Sequence, residues 1–449
     1  MRGLFAALLA SAAPAQTTWI VDDNPGPGVH FTSLPAAVAA AASGDTLLVA
    51  PGHYEPFHVT GKALTILGDG NVTTFIDGSP IAGTGDYVNI TSPPVGTTFR
   101  LSGVTIQRDV SGTTLPYTNR LAISGASVST AGTVVLTDVR SEPTPSGAQW
   151  GGGFEAGLNV RRIAVSASRC LFQGAWFDIP VFSSATGRAG VGVDVGTFVA
   201  DACLISGGSP SPAGPAQSLA AGDGLVVYFA TVHLTGCSVS GGSTTGAAST
   251  QVGGAGLRGS GNGIVRVYGS AANSIRGGNV NSPGTAGPGI EVSGTVSVFG
   301  PVVVAGGMSP SGPAPATTGT GQVQLGLPPR PVLSLTGSAP NGGDLQPGQP
   351  VTLSLTAPTM PSHLFGLVID LAPGYFALPG ISPEPGLLSG AATLLLAGVL
   401  DAAGQFAVTF TPATQAPATT HHPFHLQGFV FDPALGLWLG SNAEVRRIR

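Results

Sequence analysis

The sequence predicts an all-β protein: a parallel β-helix, built as a solenoid with coils of about 33 residues, followed by a small C-terminal β-sandwich. Three observations predict this fold. Only 9% of the 449 residues are charged, compared with about 25% in a typical soluble domain. The chain holds 69 glycines and 38 prolines, which separate short apolar runs. A phrase of similar residues also recurs at a nearly constant interval through the middle of the chain.

The composition excludes several classes of protein. A chain so poor in charge is not a typical disordered protein, and a coiled coil would need many more Glu, Lys and Arg residues. Glycine does not recur at every third position, which excludes collagen. The net charge is −5 and there is no basic tract, so we expect no nucleic-acid partner.

Residues 1–15 predict a signal peptide. A basic start at Arg2 is followed by an apolar segment at residues 4–10 and by small residues before Gln16, which is the pattern of an export signal. The longest later apolar stretch, residues 387–400, is too short and too interrupted to span a bilayer. We therefore expect a secreted or cell-surface protein without a membrane span.

An N-terminal segment, residues 16–43, predicts a cap for the solenoid. Residues 31–43 predict the one helix of this part of the chain, with Thr32 or Ser33 as its N-cap and Pro35 in its first turn. A helix placed before the first coil would cover the open end of the core and block pairing of its edge strand.

The repeat first shows in the cysteines. Cys170, Cys203 and Cys237 lie 33 and 34 residues apart, each within a similar phrase. We interpret them as an inward stack of small apolar side chains and not as a disulfide framework. No His or carboxylate cluster accompanies them, so no metal site is predicted.

A glycine followed by an apolar strand gives the same period independently. These phrases begin at Gly157, Gly190, Gly224, Gly256 and Gly289, in steps of 33, 34, 32 and 33 residues. Two registers with one period indicate a solenoid, in which each unit packs only on its neighbours. Residues 44–327 have room for about eight or nine coils, with a rise of about 4.8 Å each.

Side loops account for the length of the coils. They begin mostly with Gly-Gly and continue in Ser, Pro, Ala, Thr and Gly, and their equal offsets place them on one edge of the rod. Such a composition favours turns and extended backbone with little reactive chemistry. The loops are residues 173–189, 207–223, 241–255, 277–288 and 306–321.

The opening of the chain resembles a known family. Residues 21–34, the Gly-Asp-Thr-Leu-Leu-Val-Ala-Pro-Gly-His-Tyr segment at 44–54, and residues 64–70 are similar to the secreted right-handed parallel β-helix proteins of the pectin-lyase-like superfamily. There a cap helix leads to this motif and, one coil later, to a Gly-rich turn. The low-charge, Ala/Gly/Pro-rich style also resembles exported proteins of planctomycete-type bacteria.

The resemblance implies the fold more than an activity, because lyases, hydrolases, esterases and non-enzymes share it. The chain has no Gly-Asp-x-Asp-Phe segment and no Gly-His-Gly segment, and its single lysine, Lys62, lies in the first turns. Two functions stay open. The first is a non-catalytic carbohydrate-binding or cell-surface structural protein, and the second is a divergent lyase, hydrolase or esterase acting on an acidic polysaccharide.

Alternation along the strands predicts one candidate site. If Leu158 and its equivalents point inward, the residue three positions later points outward. The resulting exterior column is Arg161, Asp194, Tyr228, Ser260 and Ser293. Arg161, Asp194 and Tyr228 are the candidates for catalysis, and Arg161 and Asp194 would lie within ion-pair reach. The alternative is a surface salt bridge worth at most about 1 kcal/mol.

A second candidate site is a loop with more aromatic residues than the others. Aromatic side chains beside a carboxylate and an arginine suit sugar stacking, although the same residues could pack over the coil instead. The candidate carbohydrate-binding residues are Trp150, Phe154, Trp176, Phe177, Asp178 and Arg188. We expect a monomer that binds an extracellular polysaccharide or cell-surface component without a cofactor; nothing in the residues supports Ca²⁺.

A Pro-rich linker at residues 328–331 ends the period, and residues 332–449 predict the β-sandwich. Short alternating runs separated by turns rich in Gly, Pro and Asp are typical of such a domain. The predicted strands are residues 332–335, 351–356, 364–370, 405–411, 426–431 and 443–448.

Overall fold

The structure is a computed structural model of the chain. It describes residues 16–77, 86–107, 119–127, 131–143, 156–179, 184–210, 216–245, 248–269, 271–327, 331–337, 345, 348–370, 393–411, 424–433 and 437–446. The expected signal peptide at residues 1–15 lies outside these residues.

The described chain forms a parallel β-solenoid, as predicted, and its coils have three walls. In each coil the chain passes through wall 1, then wall 2, then wall 3, and each strand pairs in register with the equivalent strands of the coils on either side. Wall 1 contains Phe57–Thr60, Val88–Thr91, Asn119–Ser124, Ala156–Arg161, Val191–Asp194, Leu225–Tyr228, Leu257–Ser260, Ile290–Val292 and Thr317–Thr318. Wall 2 contains Thr18–Val21, Thr46–Val49, Thr65–Gly68, Thr98–Ser102, Thr133–Thr137, Ala164–Ser168, Thr197–Asp201, Thr231–Thr235, Ile264–Tyr268, Thr295–Phe299 and Gln322–Leu327. Wall 3 contains Gly52–Tyr54, Thr74–Ile76, Thr105–Ile106, Arg140–Ser141, Leu171–Gln173, Leu204–Ser206, Ser238–Ser240, Ser274–Arg276 and Val303–Ala305.

The core lies inside the three walls. Alternation along each strand sends every second side chain inward, and the inward residues form one continuous hydrophobic cluster along the solenoid. The inward column of wall 1 that the glycine phrases predict is confirmed, because Leu158, Val191, Leu225, Leu257 and Ile290 are fully buried.

The cysteine stack is also confirmed. Cys170, Cys203 and Cys237 are buried free thiols. The backbone N–H of Cys170 donates to Sγ of Cys203 at 3.4 Å, and that of Cys203 donates to Sγ of Cys237 at 3.4 Å. Burial raises the pKa of the Cys203 thiol well above its ordinary value, so the stack packs as small apolar side chains.

The sharp bends between the walls use left-handed backbone. Between walls 1 and 2 the bend residue is, for example, Arg162 at φ 55°, Val195 at φ 49° and Phe229 at φ 47°. Between walls 2 and 3 it is, for example, Asp138 at φ 54° or Arg169 at φ 52°. The same unusual conformation recurs coil after coil because the bends stack on one another.

The cap helix is shorter than predicted. It spans Leu34–Ala40 and not residues 31–43, with Pro35 in its first turn and Leu34 buried on the core. Ser33 is at the N-cap position, but its hydroxyl makes no capping hydrogen bond. Phe31 instead forms an isolated parallel bridge with Val21, which keeps the chain extended up to the helix.

Lys62 and Asp45 hold the C-terminal end of this helix. Lys62 Nζ donates to the carbonyl oxygens of Val38, Ala39 and Ala41 at 2.8–3.1 Å, where a cation also complements the helix dipole. Asp45 accepts from the backbone N–H of Ala42 at 2.9 Å. The single lysine of the chain therefore has a structural partner at the cap.

The side loops contain strands that their composition did not predict. They stack on one edge of the rod, as expected, and form a sheet of their own. Its strands are Trp176–Ile179, Ser184–Gly187, Ala216–Ala220, Ala248–Val252 and Gly284–Thr285. A small hairpin of Met308–Ser309 and Gly312–Pro313 follows.

Between this side sheet and the walls, the backbone forms a single file of hydrogen bonds along the solenoid axis. The file alternates between the start and the end of successive loops, with N···O distances of 2.7–3.0 Å. Most of the residues in this row are glycines, and we call these glycines the glycine file. They are Gly208, Gly222, Gly242, Gly254, Gly278, Gly287 and Gly307. Glycine is required at these positions because the backbones of adjacent coils approach closely. For example, a Cβ on Gly278 would collide with the carbonyl oxygen of Gly242.

The C-terminal part forms two antiparallel sheets around a second hydrophobic cluster, in agreement with the predicted β-sandwich. One sheet contains Val332–Gly337, Val351–Thr356 and Gln405–Phe410; the other contains Thr393–Val399, Leu364–Asp370, Phe424–Asp432 and Leu437–Arg446. The strand Thr393–Val399 was not predicted, because its continuous apolar sequence lacks the alternation of a half-buried strand.

Wall 2 carries a buried histidine on its outer face. His233 pairs in register with Val199 and Arg266, and the sandwich strand Leu437–Arg446 lies against the wall-2 strand that contains Val199. His233 is 4% exposed, and its Nε2 has no hydrogen-bond partner in the described structure. Burial, assisted by the nearby Arg266 charge, lowers the pKa of His233 from 6.5 to about 3.

No helix among the described residues is long and apolar enough to cross a membrane.

The glycine file predicts a large difference between two Gly→Ala variants. Gly278→Ala should lower the free energy of unfolding by about 3 kcal/mol, because the new methyl group displaces the backbone of the preceding coil at Gly242. Gly192→Ala is the control, since a Cβ there meets no atom within 4 Å. Denaturant unfolding of both variants measures the difference, and equal stabilities would contradict the close packing of the file.

His233 predicts a specific loss of stability in acid. In the unfolded chain His233 is protonated below about pH 6.5, whereas in the folded chain it is protonated only below about pH 3. Between these two values the free energy of unfolding therefore falls with decreasing pH, by up to about 1.4 kcal/mol per pH unit. In His233→Leu this contribution disappears, and the urea unfolding free energy should depend less steeply on pH. Parallel pH profiles for wild type and His233→Leu would refute the assignment.

Candidate functional site

The outer face of wall 1 carries the predicted exterior column. Arg161 pairs in register with Asp194, Asp194 with Tyr228, and Tyr228 with Ser260. Ser293 comes directly after the strand Ile290–Val292 and lies outside the paired register. The structure thus brings Arg161, Asp194 and Tyr228 together on three successive coils, about 4.8 Å apart.

Arg161 and Asp194 form the expected ion pair. Nε of Arg161 lies 3.0 Å from Oδ2 of Asp194, and the two side chains are 59% and 34% exposed. At this exposure the pair contributes at most about 1 kcal/mol to stability. More than half of the Arg161 side chain therefore remains accessible to a ligand.

A neighbouring outward column of wall 1 carries a second charged group. Arg258 donates from Nε to Oδ2 of Asp223 at 2.7 Å and from NH2 to Oδ1 of the same carboxylate at 3.2 Å. The same NH2 lies 3.1 Å from Oε2 of Glu291 on the next coil. Burial acts to lower the pKa of Arg258, but the two carboxylates outweigh it and raise that pKa.

Two exposed aromatic side chains lie between the charged groups. Tyr228 is 47% exposed and Phe229 is 49% exposed, and their rings meet edge to face with centroids 4.5 Å apart. The ring of Phe229 lies over Gly261 of the next coil. On the coil before Tyr228, a Cβ on Gly192 would meet no atom within 4 Å, so nothing covers the wall at that position.

The aromatic-loop candidates are only partly described. Trp150 and Phe154 lie outside the described residues. Trp176, Phe177 and Asp178 belong to the strand Trp176–Ile179, which pairs antiparallel with Ser184–Gly187 at the start of the side sheet.

Arg188 follows this hairpin at the beginning of the hydrogen-bond file. Its backbone N–H donates to the carbonyl oxygen of Ala175 at 2.8 Å, and its carbonyl oxygen accepts from Gly208 at 2.7 Å. Its side chain is half-buried. The backbone of Arg188 thus ties the hairpin to the coil, whereas a sugar-binding role of this loop stays a prediction.

The Asp223–Arg258–Glu291 group was missed from the sequence. The same glycine phrases that located Arg161 contain Arg258 and Glu291 two residues after their glycines, in the adjacent outward column. Asp223 directly precedes Gly224, outside any strand, so alternation alone could not place it. Among the described residues, no three His, Cys, Asp or Glu side chains form a group that could hold a metal ion.

A scan against protein-family models gave no match to this chain, and neither the curated proteins nor the solved structures that were compared with it gave a match.

Proposed function

We propose that the outer face of wall 1 is a non-catalytic carbohydrate-binding surface. The observation that carries this proposal is the exposed pair Tyr228 and Phe229, flanked on one side by Arg161–Asp194 and on the other by Asp223–Arg258–Glu291. Large exposed aromatic side chains beside polar groups mark interaction sites more often than random surface.

The two kinds of residue suit the two faces of a sugar ring. An aromatic ring offers apolar area for the C–H face of a pyranose. Carboxylates accept from sugar hydroxyls, and guanidinium groups donate to their oxygens in a planar fork. Because the groups are on successive coils, they would contact successive units of an extended chain running along the solenoid axis.

The pairing of the carboxylates with arginines on this face favours binding over catalysis. A glycoside hydrolase needs two carboxyl groups on either side of the scissile bond, one acting as acid and one as base or nucleophile. On this face Asp194 contacts Arg161, while Asp223 and Glu291 share Arg258. Each carboxylate is thus engaged by an arginine, an arrangement that orients hydroxyl groups without supplying an acid–base pair.

We also infer that the protein is exported and is related to the pectin-lyase-like β-helix proteins. The N-terminal signal pattern supports export. The cap helix at Leu34–Ala40, followed by the Gly-Asp-Thr motif entering wall 2 at Thr46–Val49, supports the relationship. An extracellular polysaccharide or a cell-surface component is then the partner.

The proposal predicts that Tyr228→Ala weakens carbohydrate binding by about tenfold, through loss of the stacking surface. Purified protein is assayed by affinity electrophoresis in gels containing pectin, alginate or chondroitin, with absorbance monitored for unsaturated products. Tyr268→Ala is the matched control, because Tyr268 stacks on Phe299 on the outer face of wall 2, away from this site. Asp194→Asn should also weaken binding by about tenfold.

Retention of the wild type without product formation, reduced in Tyr228→Ala but not in Tyr268→Ala, supports the proposal. Lack of retention on every polymer would overturn it. Product formation that disappears in Asp194→Asn would also overturn it, in favour of a divergent polysaccharide-degrading enzyme.

A further inference from the structure

An open cleft of about 780 Å³ lies where the side loops leave wall 3. Its lining includes none of Arg161, Asp194, Tyr228 or Arg258, so it is separate from the wall-1 surface. Most of its lining residues come from the same positions of successive coils.

A four-residue motif supplies most of the cleft lining. Each copy begins with an outward residue at the end of a wall-3 strand, continues through two small residues and ends at the start of the loop. The copies are residues 173–176, 206–209, 240–243, 276–279 and 305–308. In the first positions Gln173 pairs with Ser206, Ser206 with Ser240, and Ser240 with Arg276.

The last positions form a ladder of side chain to backbone hydrogen bonds. Oγ of Ser209 accepts from the backbone N–H of Ser243 at 2.9 Å, and Oγ of Ser243 accepts from that of Asn279 at 2.9 Å. Oδ1 of Asn279 accepts from the backbone N–H of Met308 at 2.8 Å. Each side-chain oxygen is therefore directed along the axis toward the next coil.

This ladder leaves hydrogen-bond donors for the cleft. A serine hydroxyl whose oxygen accepts still has its own O–H, and an asparagine whose oxygen accepts still has both amide hydrogens. Arg276, an exposed residue, adds a cation to the same lining. No Asp or Glu occurs among the residues that line the cleft, so the lining carries one cation and no anion.

We propose that this cleft is a second binding site, which takes a chain of an anionic polysaccharide. From the coil of Gln173 to that of Ala305 the cleft crosses four coil steps, about 19 Å, which accommodates several sugar rings in extended form. A carboxylate or sulfate group pairs with Arg276, and ring and hydroxyl oxygens accept from the Ser and Asn donors. The site goes beyond the wall-1 surface, which presents both charges and aromatic rings.

Three oligosaccharides test the anionic requirement by isothermal titration calorimetry. A galacturonate hexamer and a sulfated galactan hexamer carry the two candidate anionic groups. The fully methyl-esterified galacturonate hexamer has the same rings without the charge. Binding of either anionic hexamer, at least tenfold tighter than the neutral one, is the expected result, and the better of the two identifies the anionic group. Binding of neither overturns the proposal.

Two variants locate the binding. Arg276→Gln removes the charge and should weaken binding of the anionic hexamer by about tenfold. Asn279→Asp keeps an oxygen for the Met308 N–H but replaces the amide donors by a negative charge, so it should weaken binding at least as much. Arg140→Gln is the matched control, since Arg140 is a half-exposed arginine of the same wall and is not part of the cleft lining. Thermal melting confirms that each variant is folded.

Comparison with Tyr228→Ala separates the two proposed sites. Loss of anionic-hexamer binding in Arg276→Gln and Asn279→Asp, with Arg140→Gln unaffected, supports the cleft site whatever Tyr228→Ala does. Loss in Tyr228→Ala alone overturns the cleft site and leaves the wall-1 surface standing.

Discussion

In-register pairing of parallel strands is the constraint on which the rest of this structure depends. Each coil is held to the next at about 4.8 Å by backbone hydrogen bonds, so a residue at one position of a coil lies directly above its equivalent in the coil before. Inward positions become continuous columns of core, such as the cysteine stack, and outward positions become columns of surface. A change at one position therefore acts on its two vertical neighbours.

The same constraint explains how so few charges are used. The ion pair between Arg161 and Asp194 joins equivalent positions of adjacent coils, and Arg258 reaches Asp223 and Glu291 across comparable separations in sequence. Arg169 likewise contacts Asp138 of the preceding coil at 2.8 Å. A solenoid whose backbone already ties its coils together needs few charges, and several of the charged side chains among the described residues link adjacent coils.

Sequence periodicity was sufficient for the coils and for the exterior column, because side-chain alternation and register are local rules repeated many times. It was insufficient for the side sheet. Strands such as Ala216–Ala220 contain no alternating apolar pattern, and they form because each lies beside the equivalent segment of the next coil, a tertiary effect that outweighs local propensity. The predicted limits of the cap helix were wrong for a similar reason, since Lys62, 22 residues after the last helical residue Ala40, provides its C-terminal hydrogen bonds.

The two surfaces that we assign to ligands differ because the backbone uses their side chains differently. On wall 1 the backbone groups pair strand to strand, so the outward side chains are left to pair with one another, and the face carries both signs of charge. At the cleft the loop N–H groups of Ser243, Asn279 and Met308 have no strand partner, and they take up side-chain oxygens instead. Because these side-chain oxygens accept from the backbone, the side chains have mainly donors left for a ligand. A chain with one lysine and no basic tract can thus present a surface suited to anions around a single arginine, Arg276, because the neighbouring acceptors are used in the fold.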